Sequence, residues 1–152
     1  MSNGVDIDRI PRDRLTAEIK MKVDGELGGG PRGMMGGWWA VKQLGWIATE
    51  LTARLDGDGG LIVHYDIDFL KPIFGGDWVR FYGEIVKIGN TSRTFDFTVE
   101  RYIDGSNAVW DDSPDPKYSI VNVKDQPELV LKGQCVTVVP KPRQRGELPT
   151  IG

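Results

Sequence analysis

Glu50 is the residue of this sequence most readily cast as a base. It stands with Trp39, Gln43 and Trp46 at alternating intervals of four and three, the spacing of one helical face. Two tryptophans are an unusual choice for a solvated face, so the stripe is expected to be covered by a second subunit or a ligand. A carboxylate shielded from water beside indole rings holds its proton to higher pH and is a stronger base. The same position also suits a plain ion pair with Arg54, four residues on. Asp68 shares a strand face with Asp66 and His64, opposite Tyr65, Ile67 and Phe69. It suits holding a cation or assisting proton transfer, and equally a solvated acid on a sheet face. Lys141, Arg143 and Arg145 form a basic group in a chain of net charge −3. Such a group fits phosphate contacts at a subunit edge, or a solvated tail.

Other reactive residue types carry less. His64 is the one histidine, and no His/Cys cluster has metal-ligand spacing, so no metal is expected. Asp77 follows two glycines and reads as a turn former. Cys135 is the one cysteine, which excludes an intrachain disulfide, fits a reducing compartment and reads as a structural strand residue. The acidic balance argues against nucleic acid, which needs a basic surface. No apolar run approaches a membrane span, and residues 1–14 lack the basic and apolar regions of a signal peptide. A soluble cytoplasmic protein is expected.

The elements that must position these residues follow from periodicity. With 152 residues the chain suggests one domain. Residues 1–15 read as a frayed leader and 18–23 as a short strand. Residues 25–37 are glycine-rich, a loop whose backbone approaches something closely. From Gly37 to about Leu55 the period is helical, with Val41, Leu44, Ala48, Leu51 and Leu55 on the buried face, and Asp56–Gly60 ends it. Strands are expected at 61–70, 78–88 and 94–102, the last with Phe95, Phe97 and Val99 inward. Residues 104–127 read as an irregular loop with a possible strand at 118–123, residues 129–139 as the last strand, and 140–152 as a basic tail. The class is α+β: an antiparallel sheet curled around one long helix.

The glycine-rich loop, the helix with its acidic residue and Asp68-Phe-Leu-Lys-Pro72 resemble the hotdog family. Gly76-Asp77 and Val86-Lys-Ile-Gly-Asn-Thr-Ser92 add to the likeness. A narrower resemblance is to the β-alanyl-CoA and 3-aminobutyryl-CoA ammonia-lyases. It rests on Gly45–Asp58 with Thr49-Glu50-Leu51, Asp66-Ile-Asp-Phe69, Val86–Asn90, Val138-Val-Pro-Lys141 and Gln144-Arg145. Many hotdog thioesterases place a histidine ahead of the Gly-Gly pair, where this chain has Met35.

The resemblance implies a substrate that is an acyl-CoA thioester, with CoA as part of the substrate and no separate cofactor. It also implies a homo-oligomer, at least a dimer, with the site between subunits. Glu50 would remove the proton next to the thioester carbonyl. The enolate oxygen would sit on the backbone N–H of Gly37 or Trp38 at the helix start, although Gly36-Gly37 equally suits a tight turn. Asp68 would hold the departing ammonium, Trp46 would line the site, and Lys141, Arg143 and Arg145 would meet the CoA phosphates. A hotdog thioesterase and a non-catalytic acyl-CoA binding module are the alternatives.

Overall fold

The computed structural model describes residues 4–24, 33–105 and 122–151. Among these residues the one α-helix, α1, spans Gly37–Asp56. It ends where Gly57 turns left-handed (φ 70°) and donates its N–H to the Ala53 carbonyl at 2.8 Å, a glycine terminus that a Cβ would strain. Five strands follow in chain order: β1 Thr16–Lys22, β2 Leu61–Phe69, β3 Trp78–Ile88, β4 Ser92–Asp104 and β5 Asn122–Val138. They form one antiparallel sheet in the order β1-β3-β4-β5-β2, and α1 packs against all five.

The sheet curls because the helix must be covered on more than one side. Phe81, Ile85, Phe95, Phe97, Val99 and Leu131 meet Leu44, Ile47, Ala48, Leu51 and Leu55, all buried. The approach is close enough that a Cβ on Gly83 would lie 2.5 Å from Ile47 and 2.9 Å from Phe97. The expected inward row of β4 is therefore present, and it extends further than hydrophobicity alone reveals. Arg93 and Arg101, at the two ends of the Phe95-Phe97-Val99 row, are also buried. Arg93 donates from Nε and Nη2 to both carboxylate oxygens of Asp56, each at 2.8 Å, and from Nη1 to the carbonyls of Gly89 and Ser92. This fork ties the last residue of α1 to the sheet.

Three expectations are corrected. The two-stripe view of α1 fails: Trp39 and Gln43 are buried with the core, Val41 is half-buried, and only Trp46 and Glu50 of the second stripe stay exposed. A sheet that wraps a helix buries an arc wider than half a turn, and Trp39 is taken into it edge-on to Phe81. β5 is longer than expected, beginning at Asn122 instead of 129. Its first half pairs with Arg101, Ile103 and Asp104 of β4 through a register break that accommodates Pro127. Of the expected irregular loop, 106–121 lie outside the described residues, as do 118–121 of the possible strand, residues 1–3 and residues 25–32 of the glycine-rich loop.

The third correction concerns the chain ends. Residues 4–15 are not frayed. Val5 bridges Thr150, the Asp6 N–H donates to Pro149, and Ile10 and Leu15 are buried. The tail docks beside them, with Leu148 against the core. Together they serve the end of α1, whose last carbonyls have no partner within the helix. Arg14 Nη2 donates to the Leu55 carbonyl at 3.1 Å and the Arg145 N–H to that of Asp56 at 2.8 Å.

Candidate active site

The start of α1 opens on a hollow of about 460 Å³. Met34 to Gly37 and Ala40 form one wall, residues 69–73 a second, and Val130 and Leu131 of β5 the floor. Among the described residues no side chain caps α1 at Gly36. The first-turn N–H groups and the positive end of the helix dipole therefore stand beside an apolar space. Gly37 lies against the Phe69 ring: a Cβ there would be 3.0 Å from it.

The 69–73 wall is held from several sides. The N–H groups of Leu70 and Lys71 both donate to the Val130 carbonyl, and the Met35 N–H donates to that of Ile73 at 2.7 Å. Arg101 Nη1 donates to the Pro72 carbonyl at 2.8 Å. Arg101 also pairs with Asp77 at 3.0 Å and Glu128 at 2.9 Å, while Lys71 reaches Glu128 at 2.6 Å. Hydrogen bonds from Lys71, Arg101 and Lys124 hold the Glu128 carboxyl down at about 2. Asp77 is the turn residue expected, buried and accepting from the N–H groups of Phe74 and Gly105. Arg93, Asp56, Arg101, Glu128 and Lys71 escaped the sequence reading. The one available signal was the period-two register of Arg93 and Arg101 with Phe95, Phe97 and Val99.

The expected site residues fall in separate places on one protomer. Gly36 and Gly37 line the hollow; Trp38, beside them, is 60% exposed. Trp46 is 56% exposed, with Lys42 Nζ 5.2 Å from its ring centroid. Glu50, its side chain 45% exposed, pairs with Arg54 at 3.0 Å, and Arg54 also donates to the Asp13 carbonyl. It faces β1, in a shallow depression with Thr16, Glu18, Arg80 and Tyr82. At about 1.5 Å per residue, Glu50 lies about 20 Å along α1 from Gly37. Asp68 pairs in register with Lys132 and lies with Asp66, Asp96 and Gln134 in another depression of the sheet. His64 is exposed on the same strand. Lys141 and Arg143 form a 3-10 turn, and Arg143 approaches Asp58 at 3.6 Å. With Arg145 they gather at the far end of α1, about 28 Å from Gly37 along the axis. Cys135 is buried, which pushes its thiol up to about 12.

Several large apolar side chains on α1 and β2 are exposed. Trp38 and Trp46 on α1 are joined by Leu61, Val63, Phe69 and Leu70, on or just after β2. Among the described residues β2 is a terminal strand of the sheet, with no strand paired to its outer edge. No helix among the described residues is long and apolar enough to cross a membrane.

Residues 43–106 match the family model of the thioesterase superfamily. The chain is 34% identical over 130 residues to the 3-aminobutyryl-CoA ammonia lyase of Acetoanaerobium sticklandii, covering 84% of this chain and 95% of that protein. Among solved structures, the β-alanyl-CoA:ammonia lyase of Clostridium propionicum superposes with a TM-score of 0.75 at 26% identity, covering 86% of this chain and 89% of that one. An acyl-CoA hydrolase of Staphylococcus aureus superposes at 0.65 with 13% identity, covering 93% and 73%, a likeness of fold. The helix wrapped by five antiparallel strands is the hotdog architecture, and the chain belongs to the acyl-CoA ammonia-lyase family within the thioesterase superfamily.

Proposed function

We propose that this protein is a carbon–nitrogen lyase that adds ammonia to, or eliminates it from, an enoyl-CoA/3-aminoacyl-CoA pair. The observation that carries the reading is the near full-length kinship with a 3-aminobutyryl-CoA ammonia lyase. The hollow at the uncapped start of α1 supplies a seat for the thioester. With its carbonyl oxygen on the N–H groups of Gly37 and Trp38, negative charge developing there meets donors and the helix dipole. In elimination the C3 amine is carried in its ammonium form; a base takes the C2 proton, the electrons of that C–H bond pass into the enolate, and their return forms the C2–C3 double bond and breaks the C3–N bond, releasing ammonia. The thioester itself acidifies C2, so the step as drawn needs no cofactor; CoA is part of the substrate.

The base is Glu50, supplied by a second protomer. Proton transfer needs contact within about 3 Å, and about 20 Å separates Glu50 from Gly37 along one helix. Two α1 helices running antiparallel across a two-fold axis reverse this: each helix start meets the Glu50 half of the other. The same reversal brings Lys141, Arg143 and Arg145 of the partner to the outer side of the helix start, where phosphates at the far end of the pantetheine arm would meet them, and places Trp46 at the boundary. Asp68, expected to hold the ammonium, lies on the face of β2 opposite Phe69, beside Lys132 and Asp96 and away from the hollow. The exposed apolar side chains on α1 and β2 favour such an assembly, because exposed apolar surface and a terminal strand are features of contact faces. The buried reduced cysteine suits the cytoplasm.

The test is product analysis. Crotonyl-CoA with ammonium should lose its enoyl absorbance without release of free thiol. Free CoA with no amine adduct would replace this reading with a thioesterase; binding without turnover would leave an acyl-CoA binding module.

A further inference from the structure

We infer that the hollow selects acyl groups carrying an apolar substituent larger than methyl on C3, such as propyl or phenyl, over acryloyl and crotonyl groups. The inference rests on the lyase reading for where the thioester sits, and on the hollow itself for what lies beyond it.

Size comes first. The hollow measures about 460 Å³, while a small unit such as water occupies roughly 30 Å³ in a liquid. The hollow therefore has room for more than a short acyl chain. An acryloyl group has four non-hydrogen atoms and a crotonyl group five. An acryloyl or crotonyl chain does not fill the hollow.

Chemistry comes second. The walls beyond Gly37 are Met35, Ala40, Leu70, Ile73, Val130 and Leu131. The one ionisable residue of the lining among the described residues, Lys71, is turned to Glu128 at 2.6 Å. Among the described residues no lining side chain offers a partner to a polar group beyond C3, so a hydroxyl or carboxylate further along the acyl chain would be buried unpaired, which binding sites reject strongly. Ala40 is what keeps the space open: it is buried one turn into α1, where Met or Leu would be equally compatible with a helix. The position follows from the helix geometry. A thioester oxygen at the Gly37 N–H directs its acyl chain across the first turn, over Ala40 and towards Leu131.

The experiment has two readouts on the intact protein. The first is kcat/KM for amine addition to acryloyl-, crotonyl-, 2-hexenoyl- and cinnamoyl-CoA at fixed ammonium. The second is calorimetric affinity for the saturated acetyl-, butyryl- and hexanoyl-CoA esters. A filled methylene changes selectivity by about tenfold or more. The expected result is kcat/KM at least about tenfold higher for 2-hexenoyl- than for acryloyl-CoA, and affinity rising from acetyl to hexanoyl. Ala40→Leu should invert the order, and Met34→Phe, at the half-exposed rim, is a second filling variant should Ala40→Leu fail to fold. A flat or falling series in both readouts overturns the size inference and leaves the lyase reading standing if adducts form. A rising affinity series without any amine adduct overturns the lyase reading and upholds the hollow.

Discussion

If Glu50 acts only across a subunit boundary, two inactive variants should rescue one another. Along one helix Glu50 lies thirteen positions after Gly37, about 20 Å at 1.5 Å per residue, whereas a general base works at about 3 Å. No rotamer of a glutamate spans that gap. Glu50→Gln alone is expected to lower kcat by on the order of 10²–10⁴, the usual cost of losing a general base, with a smaller effect on acyl-CoA affinity. Gly37→Val places a branched side chain at the helix start, where even a Cβ meets the Phe69 ring at 3.0 Å, and should close the mouth of the hollow. In a two-fold dimer each of the two sites takes its helix start from one chain and its Glu50 from the other. A mixed dimer of the two variants then holds one intact site and one doubly damaged site. Random reassortment makes about half of the dimers mixed, so activity should return to about a quarter of wild type. The assay is loss of enoyl absorbance from crotonyl-CoA plus ammonium, measured before and after subunit exchange, with circular dichroism to show that both parents fold. A mixture that stays at the level of its parents would refute the shared site, and a fully active Glu50→Gln would leave Glu50 as an ion-pair partner of Arg54 alone.

Other consequences are independent of the chemistry. Arg93→Met leaves Asp56 charged and buried without its partner, which typically costs about 3–5 kcal/mol; at about 2–4 °C per kcal/mol for a chain of this size, calorimetry should show the melting temperature falling by roughly 6–20 °C. Adding Asp56→Leu removes the orphaned charge and should restore most of that loss, whereas a double variant no better than the single would contradict the account of the pair. Glu128, held at about 2 in the fold against an ordinary glutamate value of about 4.3, contributes stability present above its unfolded value. That contribution is lost as pH falls from about 5 towards 2; Glu128→Gln should flatten this part of the stability curve, and an unchanged slope in denaturant titrations would count against the network. Cys135, buried and raised to about 12, should resist alkylation at pH 8 in the native state and react once unfolded. Cys135→Ala should keep activity largely intact.

The helix was legible because three signals agree: apolar spacing through Leu44, Ala48, Leu51 and Leu55, a glycine pair ahead of it, and Asp56-Gly57 at its end. β3 and β4 were legible for the same reason, since one face of each meets the core and alternation survives in the sequence. β5 was read short because its first half lies at the outer end of the sheet, where polar residues and Pro127 are tolerated and leave no inward row. The docked ends were missed because their role is hydrogen bonding to the last carbonyls of α1, which hydrophobicity does not record. The second stripe of α1 misled for a geometric reason: Trp39 sits under the curled sheet near β3 while Trp46 stands clear of it, although both share one angular sector. Glu50, Gly37 and the basic tail were each identified by residue type, but spacing in a sequence cannot reveal that one protomer holds them far apart along one axis.

The measurement closest to the central claim follows 3-aminobutyryl-CoA through one incubation with three readings: enoyl absorbance, ammonium and free thiol. The account predicts that enoyl thioester and ammonium appear in equal amounts while thiol stays at background, and that Glu50→Gln suppresses both together. Thiol released in step with substrate loss, with no enoyl product, would contradict it.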